Sequence, residues 1–275
     1  MSLTLPFLLP IFLLGTFIGS FLNVVIWRLP REEKLTGRSH CPNCKHKLIW
    51  LDLIPVLSFV FYGAQCRYCN KKISWRYPLI EVIVGVLFVL AVLLVAPSSS
   101  LTLLPDWATV AKYAFILTIL LVVFVIDFEH YLILNKIIYP AIAVVLIADF
   151  LIYTVFSQNT LSSYTFTFVD SLLGMIAGFL PFYLLWKISK GKWMGLGDAK
   201  FGLFLGAVFG FPQIWVCYFI AFLLGTVVAI PLLVTGKKQL SGKLPFGTFL
   251  AVAAGLTLWF GPALASWYLG LISLS

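Results

Sequence analysis

Long apolar segments alternate with polar stretches along the whole chain. Eight apolar segments lie at about residues 3–27, 78–96, 107–126, 137–156, 168–187, 200–211, 213–234 and 246–271. All except 200–211 come close to the roughly 20 residues that an α-helix needs to cross a bilayer. The apolar residues are continuous instead of alternating, which argues against a transmembrane β-barrel. The pattern predicts an all-α polytopic membrane protein with about eight transmembrane helices.

One polar stretch is much longer than the others and separates the first apolar segment from the second. The predicted organisation therefore has three parts. These are a first transmembrane helix in residues 1–27, a polar insert in residues 28–77, and a transmembrane helical bundle in residues 78–275.

Composition agrees with a membrane protein and excludes several other classes. The 275 residues are 61% hydrophobic and only 11% charged, and the mean hydropathy is +1.04. A soluble domain carries about 25% charged residues. A chain with so few charges cannot cover a water-facing surface, so a soluble globular enzyme, a disordered protein and a fibrous protein are all excluded.

The positive charges are concentrated in the insert. The chain has 19 Lys and Arg against 10 Asp and Glu, and ten of the basic residues fall between Arg28 and Arg76. Two later connections, 187–200 and 235–245, are also basic, whereas 97–106 and 157–167 contain no Lys or Arg. Because basic residues collect in cytoplasmic loops, the insert is predicted to be cytoplasmic and both termini to lie outside. This rule explains the basic excess better than nucleic-acid binding does, so no nucleic-acid partner is expected.

Four cysteines in the insert have the spacing of a metal site. Cys41-Pro-Asn-Cys44 is followed after 21 residues by Cys66-Arg-Tyr-Cys69. Two such pairs predict a tetrahedral zinc site in which the metal closes the intervening loop. Disulfides are the alternative, but cytoplasmic thiols stay reduced.

The remaining metal-ligating side chains are secondary to the four cysteines. His40 and His46 are possible replacement ligands, although four thiolates already fill a structural zinc site. Cys217 lies alone in an apolar segment and is predicted to be a small core residue.

Acidic side chains at membrane depth are functional candidates, because burying a charge there is costly. The candidates are Glu81, Asp127, Asp149, Asp170 and Asp198. The predicted topology brings Asp127 and Asp198 to similar depth at the cytoplasmic face, although they are 71 positions apart. Asp149 and Asp170 are expected to be ordinary hydrogen-bonded or interfacial acids, and Glu81 is a minor candidate.

The residues before Asp198 have unusual backbone freedom. Gly195-Leu196-Gly197-Asp198 places two glycines ahead of an acid, and glycine tolerates backbone conformations that other residues do not. Non-helical backbone at membrane depth is tolerated only against protein or a water-filled cavity. Two carboxyl groups that converge on water form the arrangement of an aspartyl protease, in which one carboxyl group holds a proton.

Several stretches together match one known pattern. They are Gly19–Pro30, the two cysteine pairs, Leu51–Ser58, Ser74–Glu81, Ile126–His130, Gly195–Lys200 and Leu244–Gly247. Through these stretches, which extend over most of the chain, the sequence resembles the bacterial type IV prepilin peptidases, which are membrane aspartyl proteases with a G-x-G-D motif. It departs from that family at Leu134-Asn135, where the family often has Pro-Asp.

The resemblance implies cleavage of the leader peptide of prepilins and pseudopilins at the cytoplasmic face of the bacterial inner membrane. It assigns the catalytic role to Asp127 and Asp198. The supporting motif residues are Gly195, Gly197, Lys200, Pro245 and Gly247. Pro245 restricts the chain and lacks an N–H, so carbonyl groups near it are expected to be free to pair with an extended substrate, although an ordinary helix start is equally consistent.

The resemblance also implies N-methylation of the new N-terminal residue with S-adenosylmethionine, because the methylating members of the family carry the cysteine-bearing insert. No glycine-rich cofactor motif after a strand is present. Asp52 and Glu81 flank the insert and are candidates for orienting an ammonium or ribose group, with a structural role for either equally open.

Two other functions remain open. One is an ion-coupled membrane transporter that uses the two acids as a proton relay, although both acids are predicted to lie near one face of the membrane. The other is a zinc-bearing membrane scaffold without chemistry of its own. In each case membrane lipid is an expected partner.

Overall fold

The computed structural model describes residues 5–96, 104–156, 168–235 and 245–273. Across these ranges the secondary structure is helical apart from two isolated β-bridges in the insert, which confirms the all-α prediction. The chain divides into two compact units, Met1–Thr102 and Leu103–Ser275.

The first unit consists of a pair of long helices and the insert between them. The helices are α1 (Leu5–Arg28) and α3 (Arg76–Val95), and the insert contains the short helix α2 (Leu57–Phe61). Helices α1 and α3 touch through their backbones, because a Cβ at Gly15 would lie 2.8 Å from the Cα of Gly85 and one at Gly19 would lie 2.7 Å from the Cα of Glu81. Glycines four positions apart allow this close approach.

Arg28 and Asn23 on α1 hold both ends of the insert. The buried Arg28 guanidinium donates hydrogen bonds to four carbonyl groups at the start of the insert, those of Lys34, Leu35, Thr36 and Arg38. Asn23 Nδ2 donates to the Tyr77 carbonyl at 3.1 Å, where the insert passes into α3. Helix α1 thereby fixes where the insert leaves the helical pair and where it returns.

The second unit is a bundle of six helices in the described part of the chain. They are α4 (Leu104–His130), α5 (Asn135–Phe156), α6 (Phe168–Ser189), α7 (Leu196–Phe209), α8 (Ile214–Val234) and α9 (Phe246–Ser273). Seven helices of the described residues are long and apolar enough to cross a membrane, two in the first unit and five in the second. The eighth predicted segment is α7, which has only 14 residues.

Helix α7 is the buried element of the second unit. Eight of its 14 residues are buried, including Phe201 and Phe204. It packs against α6 through glycines at four-residue spacing. Gly174 and Gly178 of α6 face Gly202 and Gly206 of α7 and Gly210 directly after it. The Tyr218 hydroxyl donates to the Gly178 carbonyl at the same contact. A helix this short is therefore held by backbone contact with its neighbour.

Some predicted features lie outside the described residues. They are the connection 157–167, most of the connection 97–106, and the lysines at 237, 238 and 243 that predict a basic loop.

Candidate active site and candidate metal centre

Asp127 lies in the last turn of α4 and caps the first turn of α9. Its buried carboxylate Oδ2 accepts a hydrogen bond from the Thr248 backbone N–H at 2.9 Å, and the Gly247 N–H also donates to the carboxylate. The first N–H groups of a helix have no partner within the helix, and a negative charge is stabilised there. The start of α9 therefore fixes the position of the Asp127 carboxylate.

The backbone of Gly247 lies close to this carboxylate. A Cβ at residue 247 would lie 2.8 Å from Asp127 Oδ2 and 2.9 Å from Ile133 Cδ1, so no larger residue fits without displacement. The neighbouring Pro245 carbonyl accepts a hydrogen bond from the Thr248 hydroxyl at 2.6 Å. This bond closes the first turn of α9 over the Pro245 carbonyl, as in an ordinary helix start. That carbonyl groups near Pro245 pair with an extended substrate stays a prediction.

Asp198 lies in the first turn of α7, directly after the two glycines of the motif. Its N–H donates to the Gly195 carbonyl at 3.3 Å, and its Oδ2 lies 3.6 Å from the position that a Cβ on Gly195 would take. Gly197, directly before Asp198, and Gly247, whose Cβ position would lie 2.8 Å from Asp127 Oδ2, both lie against the side chain of Ile133. The structure thus brings together two carboxyl groups that are 71 positions apart in the sequence.

Ile133, in the connection from α4 to α5, links the surroundings of the two acids. It contacts Gly247 next to Asp127, and its Cβ lies 3.0 Å from the position of a Cβ on Gly197 next to Asp198. Sequence reasoning did not select Ile133, and an apolar residue in a short connection carries no signal that would have done so. Thr248 was also missed, although its place in the first turn after Pro245 was a usable signal.

The other residues considered from the sequence have different partners. Lys200 Nζ donates to Asn135 Oδ1 at 2.9 Å, which joins the N-terminal parts of α7 and α5. Asp149 accepts from Lys112 Nζ at 2.6 Å and forms an ordinary ion pair between α5 and α4. The Asp170 carbonyl accepts from the Phe211 N–H at 3.0 Å.

The four cysteines of the insert form a compact cluster. The four Sγ atoms lie within 4.8 Å of one another, and those of Cys41 and Cys69 are 3.9 Å apart. Zn–S bonds of about 2.3 Å in a tetrahedron place the sulfurs about 3.8 Å apart. The cluster therefore fits a four-coordinate zinc ion.

The two cysteine pairs are built alike. The fourth residue after the first cysteine of each pair, Lys45 or Asn70, has a positive φ and donates its N–H back to that cysteine's carbonyl. Burial opposes ionisation of Cys41, but N–H groups of Cys44 and Asn43 lower the pKa of its thiol to about 7. Such a turn presents a thiolate to a metal ion. His46 instead stacks its ring on Tyr68.

A cavity of about 610 Å³ lies in the first unit, next to the cysteine cluster. Its walls include Asn23, Trp27, Asp52, Tyr68 and Glu81. Asp52 Oδ2 accepts from the Ile49 N–H and from the Tyr68 hydroxyl, whereas Asp52 Oδ1 and Asn23 Oδ1 are buried and have no hydrogen-bond partner among the described residues. Cofactor pockets commonly have volumes of about 300–1,000 Å³. The two acceptors and the volume fit a ligand with hydrogen-bond donors.

Glu81 is engaged differently from Asp52. Its Oε2 accepts from the Val56 N–H at 2.8 Å, and the Ser20 hydroxyl also bonds to the carboxylate. Of the two acids considered for the methyl donor, Glu81 therefore supports the fold of the insert, and Asp52 has an oxygen left for a ligand.

The helical bundle, the Asp127 and Asp198 carboxyl groups and the four-thiol insert define a polytopic membrane protein with an acidic candidate active site. Residues 13–95 match the bacterial peptidase A24 N-terminal domain, and residues 114–230 match the type IV leader peptidase family. The chain belongs to this family.

Full-length relatives support that membership. Proteins named prepilin leader peptidase/N-methyltransferase are 31% identical in Aeromonas salmonicida, 32% in Aeromonas hydrophila and 30% in Bacillus subtilis. These matches cover 94–95% of this chain and 92–96% of the relatives. No solved structure matches the chain.

Proposed function

We propose that this chain is a membrane aspartyl endopeptidase that removes the leader peptide of type IV prepilins and pseudopilins, and then methylates the new N-terminal residue. The observation that carries the proposal is a shared contact: Ile133 lies against both Gly247, next to the Asp127 carboxylate, and Gly197, directly before Asp198. The names of the relatives, which combine both activities, support it. The relatives' names do not favour an ion-coupled transporter or a zinc-bearing scaffold without catalytic activity.

The two carboxyl groups supply the acid and the base of the hydrolysis. Because two close carboxyl groups do not both ionise easily, the pair holds one proton. The ionised group takes a proton from water, and the water oxygen attacks the scissile carbonyl carbon while the protonated group donates to the carbonyl oxygen. The C–N bond then breaks as the leaving nitrogen takes up the proton from the acid that received one. The other acid takes a proton back from the hydroxyl group formed on the carbonyl oxygen, so the pair again holds one proton.

We place the insert and both acids on the cytoplasmic side of the bacterial inner membrane. The basic residues of the insert support this orientation through the positive-inside rule. A substrate with an apolar helix can then stay in the bilayer while the peptide bond before that helix reaches water and the two carboxyl groups. Labelling of an introduced cysteine at exposed Lys47 by a membrane-impermeant reagent, in intact and in inverted vesicles, tests the orientation.

For the methyl transfer, S-adenosylmethionine supplies the methyl group and would bind in the cavity of the first unit. Asp52 Oδ1 and Asn23 Oδ1, which are buried without a hydrogen-bond partner among the described residues, would accept hydrogen bonds from its ammonium or ribose groups. Zinc bound by Cys41, Cys44, Cys66 and Cys69 would have a structural role, because four protein ligands leave no open position. The metal closes the loop that carries Asp52 and Tyr68.

The test is incubation of the purified chain with a prepilin and S-adenosylmethionine, followed by mass spectrometry of the product. The expected product has lost its leader and carries a methyl group on the new N-terminal amine. Cleavage without methylation would retain the peptidase and remove the transferase from the proposal. No cleavage of any prepilin or pseudopilin under conditions in which a relative is active would contradict the proposal.

A further inference from the structure

The insert carries an apolar surface that no described side chain covers. Residues 49–61 contain only two polar side chains, Asp52 and Ser58. Within this stretch Trp50, Val60 and Phe61 are 73%, 68% and 81% exposed. Contiguous large apolar groups at a surface usually mark contact with a protein or a membrane.

A hydrogen bond sets the position of this stretch along α3. The Val56 N–H, directly before α2, donates to Glu81 Oε2 at 2.8 Å. Glu81 is the sixth residue of α3, so it lies about 7.5 Å along the helix axis from the first residue. The turn before α2 therefore lies beside the first turns of α3, a helix that is long and apolar enough to cross a membrane.

Trp75 extends the same surface to the start of α3. The buried Phe59 of α2 packs edge-to-face on the Trp75 ring, with centroids 4.8 Å apart, while Trp75 itself stays 73% exposed. Leu79, one turn further along α3, is also exposed. Tryptophan is enriched where a helix meets the membrane–water interface, so Trp75 marks the level of that interface beside α2.

We propose that residues 49–61 form an interfacial element whose exposed side chains lie among the lipids at the boundary between headgroups and acyl chains. The partner is the bilayer itself. Glu81 then has a specific purpose at this depth, since a backbone N–H that enters a membrane needs a partner within the protein, and Glu81 supplies one to Val56. The element would hold the cysteine cluster and the cavity of the first unit at the membrane surface.

Site-specific photo-cross-linking in the full-length chain tests this proposal. Phe61 is replaced by p-benzoylphenylalanine, the protein is reconstituted in phospholipid nanodiscs, and adducts at that residue are identified by mass spectrometry. The same label at Lys47, an exposed polar position of the insert, is the control. We expect phospholipid adducts with the label at position 61 and no phospholipid adducts with the label at position 47.

Two results would overturn the proposal. One is the absence of lipid adducts at 61 in a sample that retains its zinc and its helical content. The other is an adduct that forms only with a co-reconstituted prepilin or with a second copy of the chain, since that identifies a protein as the partner. If the label at 61 prevents folding, the same measurement at Val60, which is similarly exposed, decides between these outcomes.

Discussion

The carboxylate of Asp127 at the end of α4 accepts a hydrogen bond from the backbone N–H of Thr248 at the start of α9, 121 positions later in the chain. One side chain thus serves as candidate catalytic group and as helix cap. These two roles respond differently to substitution, because a cap requires an acceptor oxygen and proton transfer requires an ionisable group.

Asp127→Asn is expected to abolish leader cleavage and to keep the fold, because the amide oxygen can still cap α9. Asp127→Ala should abolish cleavage and also cost about 1 kcal/mol of stability through the lost cap. Asp198→Asn should abolish cleavage as well. Cleavage is followed by mass spectrometry, and stability by thermal unfolding in detergent.

Asp149→Asn is the matched control, because its oxygen can still accept from Lys112 and the residue lies outside the candidate site. It should cleave at close to the original rate. Substantial cleavage by the Asp127→Asn or Asp198→Asn variant would remove that acid from the mechanism.

Gly247→Ala is expected to impair cleavage although it leaves every ionisable group in place. The added methyl group would lie 2.8 Å from Asp127 Oδ2 and must displace the carboxylate or α9. A displacement of about 1 Å can reduce an enzymatic rate about 10²-fold, so we expect a loss of that order in kcat/KM for a prepilin substrate.

Gly255→Ala on the same helix is the control, because a Cβ there meets no atom within 4 Å among the described residues. It should cleave normally. Equal rates for the two alanine variants would show that the approach of Gly247 to the carboxylate does not matter for catalysis.

Much of this arrangement follows from the sequence, and the remainder depends on contacts that a sequence pattern does not encode. Segment hydropathy located the long helices, and the distribution of basic residues predicted that Asp127 and Asp198 lie at similar depth on the same side of the membrane. The role of Ile133 could not be predicted, because it depends on the space left by Gly197 and Gly247 on two other helices. The packing of α7 on α6 had a detectable signal, the four-residue spacing of glycines such as Gly202 and Gly206.

The cysteine cluster is expected to bind 1 zinc ion per chain, as four thiolates in one site require. Cys66→Ser should lose the metal and make the insert sensitive to protease, because the metal closes only that loop. Cleavage should persist, since both acids belong to the other compact unit, while methyl transfer should fall. Zinc is measured by elemental analysis and the loop by limited proteolysis.

Cys217→Ser is the control for the loss of a thiol, because Cys217 is buried in α8 of the other compact unit and is not part of the four-cysteine cluster. It should keep the full zinc content. A carefully purified, reduced sample of the original chain without stoichiometric metal would defeat the assignment of the cluster.

Asp52→Asn is expected to separate the two activities. The substitution removes the negative charge of Asp52 from the cavity wall. The Tyr68 hydroxyl donates to Oδ2, whereas Oδ1 has no hydrogen-bond partner among the described residues and is the oxygen left for the ligand. A charge-assisted hydrogen bond stabilises a complex by about 1.5–3 kcal/mol, so its weakening should raise the KM for S-adenosylmethionine by roughly tenfold or more. Leader cleavage should not change.

The control for this prediction is Glu32→Gln, because Glu32 is an exposed acid of the same insert that is outside the cavity wall. Both the cleavage rate and the methylation rate are measured on one prepilin. An unchanged KM in the Asp52→Asn variant would place the methyl donor elsewhere, and a parallel loss of cleavage and methylation would indicate a general defect in folding.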